Sequence, residues 1–158
     1  MYTKIMVPLD GSKLAECVLP HVEAFIKRFN VRDLFLVRVV ESDPKFDYLA
    51  DFPDLKTRVQ EFEETKKASG KDYLDDISKR LKHERTAIHS EVLLAGKITE
   101  SLIEFAEKSK IDLIVIATHG RSGVTRWIMG SVADKLLRSA SVPVFMVRAS
   151  EDECAYEG

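Results

Sequence analysis

Residues 112–131 read Asp-Leu-Ile-Val-Ile-Ala-Thr-His-Gly-Arg-Ser-Gly-Val-Thr-Arg-Trp-Ile-Met-Gly-Ser. Leu113 to Ala117 is the most continuously apolar run in the chain, and such a strand belongs inside a parallel sheet covered on both faces. A loop, 118–130, follows with Gly120, Gly123 and Gly130, and a helix is expected from Ser131 to about Ser139. Glycines let backbone N–H groups approach a ligand closely. A helix start adds free N–H donors and a partial positive charge, a combination that suits phosphate. Arg121, Arg126, Lys135 and Arg138 face a single acid, Asp134, in this segment. A local reading also stands: Ser131 caps the helix, and Asp134 three residues on completes an analogue of a capping box.

The same alternation extends outward from this stretch. Short apolar runs at Ile5–Leu9, Leu34–Val40, Ile88–Leu94 and Pro143–Val147 read as further strands. Between them, residues 13–29, 55–84 and 98–108 read as helices, the first with Pro20 as a point of kinking or restart. Five strands separated by helical crossovers imply an α/β fold: an open, five-stranded, doubly wound, Rossmann-like parallel sheet with helices on both faces. In such a sheet a ligand sits beyond the carboxyl ends of the strands, where the winding reverses. Two unusual turns lie at strand ends: Asp10-Gly11-Ser12, and the glycine loop. The segment 41–54 is a loop carrying Phe46, Tyr48 and Phe52, more aromatic surface than a linker needs. The basic cluster Lys79, Arg80, Lys82, His83 and Arg85 reads as cations at a helix C-terminus.

With 158 residues, about 70% of the unfolded surface can be buried, so the chain needs no staple to fold. Hydrophobic residues at 45% and charged residues at 32% exclude a disordered or fibrous chain. Cys17 and Cys154 cannot make a disulfide framework, and the histidines at 21, 83, 89 and 119 have no zinc-like spacing. The net charge of −2 advertises no nucleic acid. Glu151, Asp152, Glu153 and Glu157 form an acidic tail, which leaves the first 150 residues with 24 bases against 22 acids. Residues 1–150 are therefore expected as one domain and 151–158 as its tail. No apolar run reaches the roughly 18 residues of a membrane span. Met1 to Pro8 enters a strand at once, and a cytoplasmic setting is the expectation.

Two familiar nucleotide signatures are missing. No G-x-G-x-x-G follows a strand, and Ala95-Gly96-Lys97-Ile98 has Glu91 and Ile98 where a P-loop requires Gly and Ser or Thr. Instead, Ala117-Thr-His-Gly120, nine residues and then Gly130-Ser131 resembles the ATP-binding motif of universal stress proteins. Lys4–Ser12, Asp112–Ile116 and Ser141–Val147 are similar to that family too, in the same order. Ala117 departs from it, standing where the motif has its first glycine. The resemblance implies strand order 3-2-1-4-5, with the reversal between strands one and four. It implies that Pro8, Leu9 and Asp10 lie along an adenosine and that Val39 meets the adenine through its backbone. It places Gly120, Arg121, Gly130, Ser131 and Val132 around the phosphates of ATP or AMP, and counts Ala117 among the nucleotide-binding residues. It also implies a homodimer joined at the edge strand 143–147.

Asp10 and His119 could form a general-base pair beside a phosphate, with magnesium as the accompanying ion of a weak ATPase. Simpler roles are available to both: Asp10 can accept ribose hydroxyls or turn N–H groups, and His119 can pack within its loop. No nucleophile–His–acid order presents itself and no catalytic residue is assigned. The leading expectation is a nucleotide-dependent regulatory or interaction module of the stress response. A nucleotide-free interaction protein is the other alternative.

Overall fold

The computed structural model describes residues 2–42, 53–81, 83–119 and 131–149. The strands are β1 (Lys4–Pro8), β2 (Asp33–Glu41), β3 (Ala87–Ala95), β4 (Leu113–His119) and β5 (Val144–Ala149). All pair in parallel, in the order β3-β2-β1-β4-β5. That is the doubly wound order that the family resemblance implied. Between the strands lie a 3₁₀ turn (Ala15–Val18) and four helices: α1 (Leu19–Arg28), α2 (Pro53–Arg80), α3 (Ile98–Lys108) and α4 (Ser131–Ser139).

The period-two alternation of the strands builds two cores. Ile5, Val7, Leu34, Leu36, Leu113 and Val115 point to one face, where they meet Val22 and Ile26 of α1 and Leu74 and Ile77 of α2. Met6, Val37, Ile114 and Ile116 point to the other, against Leu102 and Ala106 of α3 and Ala133 and Leu136 of α4. Both faces of the middle of β1 and β4 are therefore buried, which is why Ile5–Pro8 and Leu113–Ala117 are apolar without interruption. At the opposite end of the sheet, the Asp112 carboxylate accepts hydrogen bonds from Thr3 N and Thr3 Oγ1 at 2.8 and 3.0 Å. This ties β4 to the start of β1.

Several boundaries differ from the sequence expectation for physical reasons. The helix expected from residue 13 begins as a 3₁₀ turn, and α1 restarts with Pro20 in its first turn, where a missing N–H leaves no bond unmade. α2 stops at Arg80 rather than 84, and Arg80 reaches across to a buried carboxylate, Glu16. β4 extends to His119, so Thr118 and His119 belong to the strand and not to the loop. β5 starts one residue after Pro143, whose carbonyl accepts from Ile114 N at 3.0 Å. Cys17 is disulfide-bonded. Phe46, Tyr48 and Phe52 of the aromatic loop lie outside the described residues, as do Lys82 and the acidic tail.

Candidate functional site

The pairing of β1 with β4 covers Ile5 opposite Leu113 and Met6 opposite Ile114. Beyond these residues a cavity of about 270 Å³ lies at the carboxyl ends of the strands. It occupies the place where the winding reverses, since crossovers from β1 lead to β2 and those from β4 lead to β5 on the other side. Its walls are mainly apolar: Val37 and Val39 of β2, Ile98 and Leu102 of α3, and Ile116 of β4. Pro8, Leu9 and Asp10 form one rim, Ala117 the floor beside them, and Ser131, Val132 and Ala133 the start of α4 opposite.

The backbone of β2 explains why Val39 matters here. Leu9 N donates to Val37 O at 2.8 Å, so Val37 turns its polar backbone toward β1. Ser42 N donates to Ala95 O at 3.2 Å, so the even-numbered residues turn theirs toward β3. Val39 is two residues past Val37 and has the same orientation. β1 ends at Pro8, opposite Val37. The N–H and C=O of Val39 therefore point past the end of β1, one donor and one acceptor spaced as a strand edge presents them. A flat heterocycle with an adjacent donor and acceptor fits that edge.

Asp10 is exposed and closes its own turn: its Oδ1 accepts from Ser12 N at 2.8 Å. The Ser12 hydroxyl oxygen then accepts from Ala15 N at 3.1 Å, starting the 3₁₀ turn. Between them Gly11 has φ of +89°, a backbone conformation that glycine adopts without steric cost. At the far rim, Ser131 opens α4, a helix of nine residues, whose first N–H groups have no partner within the helix. The Asp134 Oδ1 accepts from Arg138 Nε one turn on, at 3.0 Å.

Seven of the ten residues singled out from the sequence line this cavity: Pro8, Leu9, Asp10, Val39, Ala117, Ser131 and Val132. Gly120, Arg121 and Gly130 lie outside the described residues. Leu14, Ala15, Val37, Ile98, Leu102, Ile116 and Ala133 also line it and were not foreseen. Val37 was within reach, because it shares a strand face with Val39. Among the described residues no cluster of three His, Cys, Asp or Glu side chains could hold a metal ion. The described part of the site does not supply the carboxylates of a dedicated metal centre.

A second, more open groove of about 660 Å³ lies between the 3₁₀ turn and α2. Glu16, 4% exposed, accepts from Arg80 Nη1 at 2.9 Å and lies 3.5 Å from the Tyr73 hydroxyl, which donates to it. Burial pushes the Tyr73 phenol well above its ordinary range, and the negative charges of Glu16 and Asp10 add to the effect. Arg38 opposes it, its guanidinium carbon 5.5 Å from the centre of the Tyr73 ring. The charges of this groove are largely paired with one another, so the groove reads as a brace behind the cavity.

Comparison with known proteins agrees with the geometry. The model of the universal stress protein family matches residues 1–148. The chain belongs to the universal stress protein family. A universal stress protein of Methanocaldococcus jannaschii is 31% identical over 153 residues, spanning 97% of this chain and 86% of that one. Among solved structures, that of the protein MJ0577 superposes with a TM-score of 0.76 at 23% identity, covering 96% of this chain and 99% of that one. A universal stress protein in complex with cAMP superposes at 0.62 and 19% identity, covering 94% and 98%. An Arabidopsis thaliana family member with AMP bound superposes at 0.54 and 16%, covering 96% and 94%. As in those folds, the sheet of this universal stress protein is wound in both directions from β1 and β4. None of its described helices is long and apolar enough to cross a membrane.

Proposed function

We propose that this chain binds an adenine nucleotide, ATP or AMP, in the cavity at the carboxyl end of its sheet. Residues 1–150 form the binding unit and residues 151–158 an acidic tail apart from it. The observation that carries the reading is the cavity itself, an apolar slot with a strand-edge donor and acceptor at Val39 and a helix start at Ser131. The slot suits a planar base. The exposed carboxylate of Asp10 suits ribose hydroxyls, and the N–H groups at the start of α4 suit a phosphate. Gly120, Arg121 and Gly130 belong to the chain segment between β4 and α4 and complete the phosphate end in this reading. That two family members of the same fold carry AMP or cAMP supports an adenine ligand here.

The function that follows is that of a cytoplasmic, nucleotide-dependent regulatory module. The protein acts as a homodimer whose interactions change with occupancy. Titration calorimetry with ATP and AMP tests the binding. The wild-type protein binds at least one of them, and Ser131→Ala combined with Gly130→Val lowers that affinity at least about tenfold, the worth of one or two lost hydrogen bonds to a charged group. Absence of heat with both nucleotides, together with a native mass spectrum free of bound nucleotide, would overturn the reading.

A further inference from the structure

Arg38 belongs to β2 but not to the wall of the cavity. Its side chain leaves the sheet on the face opposite Val37 and Val39, toward α2. A β-carbon placed on Gly11 would lie 3.2 Å from Arg38 Cζ, 3.2 Å from Nη2 and 3.3 Å from Nη1. Three nearly equal distances mean that the guanidinium presents its flat face to Gly11, not an edge. Tyr73 also lies beside it, the guanidinium carbon 5.5 Å from the ring centre. The stem of Arg38 runs under α2, where Cδ would be 3.4 Å from a β-carbon on Gly70. The plane is thus held between the turn after β1 and the helix that crosses above β2.

Among the described residues, no hydrogen bond or ion pair joins this guanidinium to a carboxylate. A half-buried arginine whose contacts are stacked ones acts here as a plate. What faces the plate is the middle residue of Asp10-Gly11-Ser12, the turn that carries the Asp10 carboxylate at the cavity rim. We propose that Arg38 is a positioning residue for this site: it fixes the Gly11 turn so that Asp10 meets the ribose hydroxyls of the bound nucleotide. The role rests on the nucleotide reading above and deepens it, because it names what gives the site its preference for ribose. Lysine cannot replace it, since an ammonium is a point charge with no plane to stack.

The test compares ATP with 2′-deoxy-ATP, and both with adenosine, by calorimetry on wild type, Arg38→Met and Arg38→Lys, with apo melting temperatures measured alongside. Wild type prefers ATP over 2′-deoxy-ATP by about tenfold, the worth of one hydrogen bond to a charged acceptor. In both variants that ratio falls to about two or less while the proteins remain folded. A brace for α2 alone would lower the melting temperature and leave the ratio intact, and an intact ratio in the folded variants overturns the proposal. A loss confined to ATP, with adenosine binding unchanged, also overturns it, since that pattern belongs to a direct phosphate contact. If Arg38→Met does not fold, Arg38→Lys and Tyr73→Leu carry the same comparison, because Tyr73→Leu removes one side of the stack. A wild-type protein that binds no adenine nucleotide sinks the nucleotide reading itself. A wild type that binds with ribose preference, unchanged in the variants, sinks only the role of Arg38.

Discussion

Position 11 has two separate reasons to be glycine. Its φ of +89° is a region that side chains adopt only with strain, and a β-carbon there would lie 3.2 Å from the Arg38 guanidinium, closer than ordinary contact. Gly11→Ala is therefore expected to lower the free energy of unfolding by about 1–2 kcal/mol from backbone conformation alone, and to weaken nucleotide binding by moving Asp10. Urea denaturation and calorimetry on one variant read both effects; unchanged stability would mean that the turn relaxes freely. The turn itself was legible in the sequence, since Asp-Gly-Ser after an apolar run punctuates a strand end by local chemistry. Ser131 was legible in the same way, as the residue after a glycine at a helix start. Arg38 was not. Its partners, Gly11 and Tyr73, lie 27 and 35 residues away in the sequence, and nothing in the period of β2 distinguishes a stacked arginine from a solvated one. Ala117 is an intermediate case: its departure from the family motif was visible, and its place at the floor of the cavity required the fold.

Helix α2 shows how one element divides its work along its length. Leu74, Ile77 and the adjoining Leu81 are buried, whereas Leu55 and Phe62 near the start of the helix are 46% and 59% exposed. Only the second half is fastened to the sheet, and it is fastened partly by the Tyr73–Glu16–Arg80 group. This has a pH consequence. Tyr73 holds its proton more tightly in the folded chain than at the ordinary value of 10.0, first because it is buried and then because Glu16 and Asp10 are negative. The contribution of this group to stability is therefore complete below pH 10 and is lost as the pH rises from there toward the folded value. Thermal melts from pH 8 to pH 11 are expected to show a falling melting temperature above pH 10, with a shallower fall in Tyr73→Phe. Parallel curves for the two proteins would mean that the phenol does not report on the folded state. The helical nature of α2 was readable from composition and spacing, but its end at Arg80 was not. The basic cluster looked like cations at a helix terminus, and one member of it was a partner for a carboxylate far away in the chain.

At the scale of the whole molecule, the alternation of apolar strands with amphipathic helices was enough to define a parallel, doubly wound sheet. The reason is physical: right-handed crossovers and two buried faces leave few arrangements open. Strand order was a further matter, because β1 and β4 are equally apolar and periodicity does not say which strands neighbour them. That order leaves β3 and β5 at the two edges, and the edges are unlike. On β3, Lys71 of α2 donates to the Ser90 carbonyl at 3.2 Å, and Ser90 and Glu91 place polar side chains in mid-strand, both features that discourage pairing. β5 runs Val-Phe-Met-Val over residues 144–147, and Phe145, 38% exposed, packs its ring against His21 and Phe25 of α1. The proposed homodimer follows from this contrast: two copies of β5 meeting about a two-fold axis continue the sheet, with the aromatic cluster beside the joint. Light scattering at micromolar concentration is expected to give twice the chain mass of 17.9 kDa. Phe145→Lys places like charges near each other across the axis, where directly opposed charges are destabilising, and should shift the mass toward that of one chain while leaving the helical circular dichroism unchanged. A wild-type mass of one chain would rule the dimer out, and a Phe145→Lys mass equal to that of a dimeric wild type would move the joint away from β5.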